Sequence, residues 1–267
     1  MQIFNGKEHA QILENKIVEH LKSNPAKGIL AIIQIGNNPS SSKYVQIKKT
    51  FCRKVGVPVS SYQIDEDLDD ESIFSEVIKI FKDRNISGGI VQIPLPRKSL
   101  NKVLKFIPVS KDVDLISEEG TNEFYNGDLG RVSPVIRAIK YFLEVNKISL
   151  RGLRVTIIGD GELVGRPVAF FLSRNGAKVD VLANYDGERK INCQLLVLSA
   201  GVPNLVKGES ICEKANVIDF GSSIVEGKYV GDLDLHSDVH KFGILSPSPG
   251  GLGPLVVRFL VMNHLGI

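Results

Sequence analysis

The stretch from Arg154 to Pro167 restricts the fold of this chain more than any other. Arg154–Ile158 is a short apolar run rich in β-branched side chains, the pattern of a buried strand. The run breaks at Gly159 and Gly161, and apolar residues then resume at helical spacing at Val164, Val168, Phe171 and Leu172. A strand, a glycine turn and a helix start together present free backbone N–H groups that hold a phosphate well. Gly159 permits a tight turn, and Gly161 lets a pyrophosphate approach the backbone. The spacing G-x-G-x-x-x-G is one residue longer than the usual dinucleotide fingerprint. A plain turn between strand and helix uses two glycines equally well, so both readings stand at this point.

Around this segment, strands and helices alternate. Ala10, Ile12, Leu13, Ile17, Val18 and Leu21 predict a first helix over Lys7–Leu21. Gly28–Ile35 is nearly continuous in apolar side chains, as expected of a central parallel strand. Gly36–Ser41 reads as a loop ending in good helix caps, followed by a helix over Ser42–Val55. A strand over Val57–Gln63, a helix over Glu71–Arg84 and a strand over Gly88–Ile93, stopped by Pro94, come next. The first ~110 residues therefore read as one open, mostly parallel sheet covered by helices. Lys111–Val132 is polar and reads as irregular, and Pro134–Glu144 is helical again. After Arg154–Ile158, further strands at Lys178–Leu182, Leu195–Ser199 and Val217–Phe220 make a second, Rossmann-type α/β unit. The turn-rich stretch Pro247–Pro254 precedes a last helix over Leu255–Asn263.

Composition limits the partners. A net charge of +3 with no concentrated basic block gives no nucleic-acid footprint. No run approaches the ~20 apolar residues of a membrane span, and the N-terminus lacks a basic segment followed by an apolar one. Cys52, Cys193 and Cys212 are widely spaced, which suits buried thiols in a reducing cytoplasm. A cytoplasmic protein acting on small molecules is expected.

Several polar residues fall where strands end. Tyr44 and Lys48, four apart, share one helix face near the carboxyl end of a parallel strand, although a solvated Tyr–Lys pair has the same spacing. Gln92 ends a buried strand, as a ligand-facing amide or as a structural cap of the turn. Asp112 and Asp114 open the irregular segment, and solvent-facing loop aspartates are the ordinary alternative. In a parallel sheet successive strand ends face one crevice, so Lys, Tyr, Gln and Asp converge there. Asp232–His240 alternates acidic and histidine residues and runs toward a helical pattern; it reads as a solvated turn, and no metal centre is expected.

The chain resembles the bifunctional methylenetetrahydrofolate dehydrogenase/methenyltetrahydrofolate cyclohydrolase family. The matching segments are Ser42–Lys48, Gly89–Pro96, Lys111–Asp114, Gly159–Pro167 and Pro247–Pro254, in the family's order and spacing. The resemblance implies a catalytic domain over residues 1–117, with 249–267 returning to it, and a Rossmann-type NAD(P)-binding domain over 118–248. Folate and nicotinamide would meet in the cleft between them, in a homodimer. Lys48 would serve the cyclohydrolase step, Tyr44 pack on the folate, Gln92 position and tune the lysine, and Asp114 hydrogen-bond the pterin. Pro249, Gly250, Gly251 and Leu252 would line the folate site. Gly159, Asp160, Gly161, Val164, Gly165, Asn184 and Ser222 would hold the dinucleotide, NADP by family habit.

Departures from the family pattern bear on the cofactor. Asp160 and Gly161 stand where the family carries Arg and Ser, and Ala183–Asp186 replaces a His-Ser-Arg-Thr-like run. A carboxylate repels a 2′-phosphate that a guanidinium would bind in bidentate fashion, so NAD becomes a candidate unless Arg166 or Arg189 compensates. Leu115 stands where the family has Gly, and Val256 where it has Thr. The expected activity is oxidation of 5,10-methylenetetrahydrofolate followed by hydrolysis to 10-formyltetrahydrofolate. The alternatives are a cyclohydrolase with weak or NAD-linked redox activity, a Rossmann dehydrogenase for another substrate, and a non-catalytic folate- or nucleotide-binding regulator.

Overall fold

A computed structural model describes residues 1–267, which divide into two compact α/β units. One comprises Ile12–Pro134 and Val257–Ile267; the other comprises Met1–Gln11 and Val135–Val256.

In the first unit, strands Val59–Ile64, Ile29–Ile35 and Ile86–Val91 form a parallel sheet in that order. The apolar Ile29–Ile35 takes the centre, and Leu30, Ala31, Ile32 and Ile33 lose all contact with solvent. Each large aliphatic side chain buried in this way contributes about 1.5–3 kcal/mol. Helix Asp70–Lys82 buries Ile73, Phe74, Val77, Ile80 and Phe81. The Phe81 ring lies so close to Gly89 that a Cβ there would sit 2.6 Å from it.

Helix Pro39–Val55 begins three residues earlier than Ser42. Pro39 fits the first turn, where its missing N–H costs nothing, and the Asn38 side chain accepts the Ser41 N–H at 3.0 Å. The segment Lys111–Val132 is not irregular throughout. Glu118–Tyr125 is a helix capped by Ser117, whose Oγ accepts the Gly120 N–H at 3.1 Å. At eight residues and mostly polar, this helix carries too little apolar periodicity to be read from the sequence.

The second unit contains a six-stranded parallel sheet. Its order is Gln2–Ile3, Ile244–Ser246, Asn216–Asp219, Leu195–Leu198, Arg154–Ile158, Lys178–Leu182. Counted from Arg154, the strands run 2-1-3-4-5, so the winding reverses between Arg154–Ile158 and Leu195–Leu198. Open α/β sheets take ligands beyond the carboxyl ends of the strands at such a reversal.

The units divide at 134/135 and 256/257, whereas the sequence reading divided the chain at 117/118 and 248/249. Asn263 Nδ2 donates to the carbonyls of Val113 and Val132 at 2.9 and 3.2 Å, which keeps the segment up to residue 134 with the first unit. The N-terminal strand Gln2–Ile3 pairs with Ile244–Ser246, and the Gly6 N–H donates to Gly250 O at 3.0 Å. These contacts hold residues 1–11 and the 249–252 turn in the second unit.

Lys228–Val230 pairs with Ser223–Val225 in an antiparallel hairpin. One further expectation changes. Asp232–His240 runs through the short strand Leu233–Asp234, paired with Val206–Lys207, into turns and not into a helix. Asp232 is wholly buried there, not solvated.

Candidate active site

Lys48 sits on the buried side of helix Pro39–Val55, and only 8% of its surface is exposed. Its Nζ donates to Gln92 Oε1 at 3.0 Å. Gln92 is held from two directions: its N–H donates to Ile33 O and its Nε2 to Ile93 O, each at 2.8 Å. The side-chain carbonyl is thereby turned toward the amine. Residues 44 apart in sequence meet because parallel neighbours deliver both to the carboxyl end of the sheet.

Burial lowers the Lys48 pKa from the ordinary lysine value of 10.5, since the ammonium loses hydration that one neutral amide replaces only in part. Asp114 opposes the fall through its charge. Asp114 thus acts on the lysine electrostatically, while the hydrogen bond of the amine goes to Gln92. The Asp114 carboxyl is itself raised, chiefly by burial; the Lys48 charge works against that rise and Asp112 adds to it. Tyr44 lies one turn before Lys48 and is half-buried.

The sequence reads Cys52 only as a buried thiol, although the spacing 44, 48, 52 marks one helix face with Lys48. Burial pushes its thiol up to about 12, so it is a neutral neighbour of the lysine.

Asp112 orders the loop rather than facing solvent. Its carboxylate accepts the N–H groups of Asp114 at 3.2 Å, Ile116 at 3.0 Å and Ser117 at 2.7 Å. Leu115, where the family carries Gly, adopts φ +58, a left-handed conformation that costs a non-glycine residue about 1–2 kcal/mol. Asp112 holds that strained turn and so sets the direction of Asp114. Asp112→Ala is expected to lower stability by about 2–4 kcal/mol, because it leaves buried amides without an acceptor. A thermal melt and the KM for the folate substrate, which is expected to rise, test this.

In the second unit, Gly159 has φ +94, and a Cβ on it would lie 2.6 Å from the Ser199 backbone. Gly165 begins helix Gly165–Arg174, and its Cα packs on the Gly159 carbonyl with no room for a side chain. Gly161 is open: a Cβ there would meet nothing within 4 Å. Val164 caps the helix without a side-chain hydrogen bond. A tight turn, a close strand–helix approach, an open glycine and a helix N-terminus without a side-chain cap fit a dinucleotide pyrophosphate. Asp160 pairs with Arg166 across this turn at 3.5 Å, both being well exposed. Asn184 is exposed just beyond strand Lys178–Leu182, and Ser222 is half-buried beyond Asn216–Asp219. Pro249 and Gly250 are exposed, whereas Gly251 and Leu252 are buried, with the Leu252 N–H on Ser246 Oγ at 3.1 Å.

A Rossmann-type cradle in one unit and a buried lysine–amide pair at the strand ends of the other define a two-unit α/β nucleotide-dependent enzyme. Residues 4–114 match the tetrahydrofolate dehydrogenase/cyclohydrolase catalytic domain, and residues 134–267 match the NAD(P)-binding domain of the same family. The bifunctional protein FolD of Hydrogenobaculum sp. (strain Y04AAS1) is 32% identical over 99% of this chain and 98% of its own. FolD from Clostridium botulinum (strain Eklund 17B / Type B) is 32% identical over 98% of this chain and 96% of its own. The crystal structure of the Campylobacter jejuni FolD methylenetetrahydrofolate dehydrogenase/cyclohydrolase superposes with a TM-score of 0.89 at 29% identity, covering 100% of this chain and 98% of that one. The chain belongs to the tetrahydrofolate dehydrogenase/cyclohydrolase family.

Proposed function

We propose that this protein oxidises 5,10-methylenetetrahydrofolate to the 5,10-methenyl form and hydrolyses that product to 10-formyltetrahydrofolate. The contact between buried Lys48 and Gln92 carries the reading, since ligand binding alone does not require an amine with a lowered pKa. When bound, the oxidised nicotinamide supplies a hydride acceptor. The residues from Gly159 to Gly165 would hold its pyrophosphate by backbone N–H groups.

Hydride loss leaves a cationic methenyl carbon, which water attacks. Neutral Lys48 accepts one proton of that water, the ammonium so formed returns it to the departing ring nitrogen as the C–N bond breaks, and the remaining hydroxyl proton leaves to solvent as the formyl carbonyl forms. Gln92 stabilises both forms of the amine without fixing it as an ion pair. Asp114 takes the hydrogen-bond donors of the pterin, and Tyr44 supplies a stacking face.

The choice of dinucleotide turns on Asp160. Its carboxylate opposes a 2′-phosphate, and the exposed pair with Arg166, worth about 0–1 kcal/mol, offsets this only in part. NAD is expected to give a kcat/KM equal to or above that of NADP. Initial rates of methylenetetrahydrofolate oxidation with each dinucleotide test both statements. A preference for NADP of tenfold or more overturns the assignment to NAD, and no reduction of either overturns the dehydrogenase.

A further inference from the structure

Two buried carboxyl groups lie among the loops at the carboxyl ends of the six-stranded sheet. Asp219 ends strand Asn216–Asp219, Asp232 precedes strand Leu233–Asp234, and neither exposes more than 2% of its surface. Asp219 Oδ1 accepts the N–H groups of Gly221 at 2.7 Å and Asp232 at 3.2 Å, and its Oδ2 accepts that of Leu233 at 3.0 Å. Asp232 Oδ2 accepts the N–H groups of Ala200 at 2.6 Å and Gly201 at 3.1 Å. Its Oδ1 is buried with no partner. Each carboxyl packs against a glycine that leaves no room for a Cβ, Asp232 on Gly221 and Asp219 on Gly231.

Further contacts close the circuit onto the glycine turn. Ser199 backbone atoms abut Gly159, and Ser199 Oγ donates to the carbonyls of Ile158 and Gly159 at 3.2 and 3.3 Å. Ser223 Oγ donates to Gly201 O at 3.0 Å, and Ser248 Oγ donates to Gly221 O. Removing either acid would loosen the backbone on both sides of the point where the winding of the sheet reverses.

We propose that Asp219 and Asp232 are positioning residues for the dinucleotide, a buried acid pair that locks loops 199–201 and 220–223 against the glycine turn. This inference rests on the dinucleotide-binding reading above. Burial outweighs the three N–H donors at Asp219, and two donors on one oxygen with none on the other suit a neutral acid at Asp232. The groups acting on Asp219 are its three amides and the Asp232 carboxyl; those acting on Asp232 are the amides of Ala200, Gly201 and Val202. Burial raises both, Asp219 to about 7. With the loops open and the acids in water, Asp219 would titrate near 3.8, so closure is increasingly opposed as pH rises from 3.8 to about 7 and levels off above.

The experiment titrates the protein with NADH, read by nucleotide fluorescence, from pH 6 to 8.5, with hydrolysis of preformed methenyltetrahydrofolate as the folding control. In the wild type, the Kd is expected to rise at least threefold between pH 6 and 7.5 and then flatten. Asp219→Asn is expected to bind more weakly at pH 6 and to lose the slope. Asp232→Ala is expected to raise the Kd tenfold or more with hydrolysis within twofold, whereas Asp232→Asn, which keeps the accepting oxygen, stays within threefold. The proposal is overturned by a flat wild-type profile, by Asp232→Ala binding NADH normally, or by Ala and Asn weakening binding equally. Should Asp232→Ala fail to fold, the wild-type and Asp219→Asn profiles decide. Wild-type protein that binds no NADH overturns the dinucleotide reading itself.

Discussion

Lys48→Met is expected to lose methenyltetrahydrofolate hydrolysis by about 10²–10⁴-fold, the usual contribution of a positioned acid–base group. The substitution keeps the length and apolar stem of the side chain and removes only the amine. The folded protein is expected to survive and even to gain stability, because burial holds the Lys48 pKa below 10.5. The unfolded chain binds a proton that the folded one binds less tightly, so the native lysine weakens folding most at pH values below its folded pKa. That penalty fades as pH climbs from the folded value toward 10.5, and methionine abolishes it. The expected pair of results at neutral pH is therefore a lost hydrolysis rate and a melting temperature at or above that of the wild type. A variant that hydrolyses the methenyl compound at the wild-type rate removes Lys48 from the chemistry.

Gln92→Glu is expected to have nearly as large an effect by the opposite route. It places a carboxylate about 3 Å from the Lys48 amine, where the neutral amide oxygen now lies. An opposite charge at that range raises a lysine pKa by about 1–3 units. The alkaline rise of the hydrolysis rate, which follows formation of the neutral amine, moves to higher pH by the same amount. At pH 7 the rate is expected to fall by about 10–10³-fold and to recover as the pH is raised. A pH profile separates this from misfolding, which would lower the rate at every pH. An unshifted profile means that the Lys48 amine is not the titrating group.

The sequence makes this site legible because parallel sheets send their strand ends to one side. The sequence places Lys48 on a helix face near the carboxyl end of one strand and Gln92 at the end of another, and they meet at 3.0 Å. The central strand Ile29–Ile35 and the glycine turn at Gly159 were equally readable, since a long apolar run and a strand–glycine–helix pattern have few other solutions. Residues whose roles depend on distant burial were not readable. Asp112 looks like any loop aspartate until its carboxylate is seen gathering the amides of residues 114, 116 and 117. Asp232 lies in a polar run and reads as solvated, yet the backbones of Ala200 and Gly201 enclose it. The N-terminal strand is two residues long, too short for periodicity, and only its register with Ile244 and Leu245 assigns it to a unit.

The most direct test supplies wild-type and Lys48→Met protein with methylenetetrahydrofolate and an oxidised dinucleotide. Reduced dinucleotide and methenyl absorbance are followed together. In the wild type, reduced dinucleotide should form while methenyl absorbance stays low, because hydrolysis removes the product. In a Lys48→Met variant that still transfers hydride, methenyl should build in proportion to reduced dinucleotide. Equal methenyl accumulation in the two proteins, or wild-type protein that reduces neither NAD nor NADP, would contradict a folate dehydrogenase whose hydrolytic step depends on Lys48.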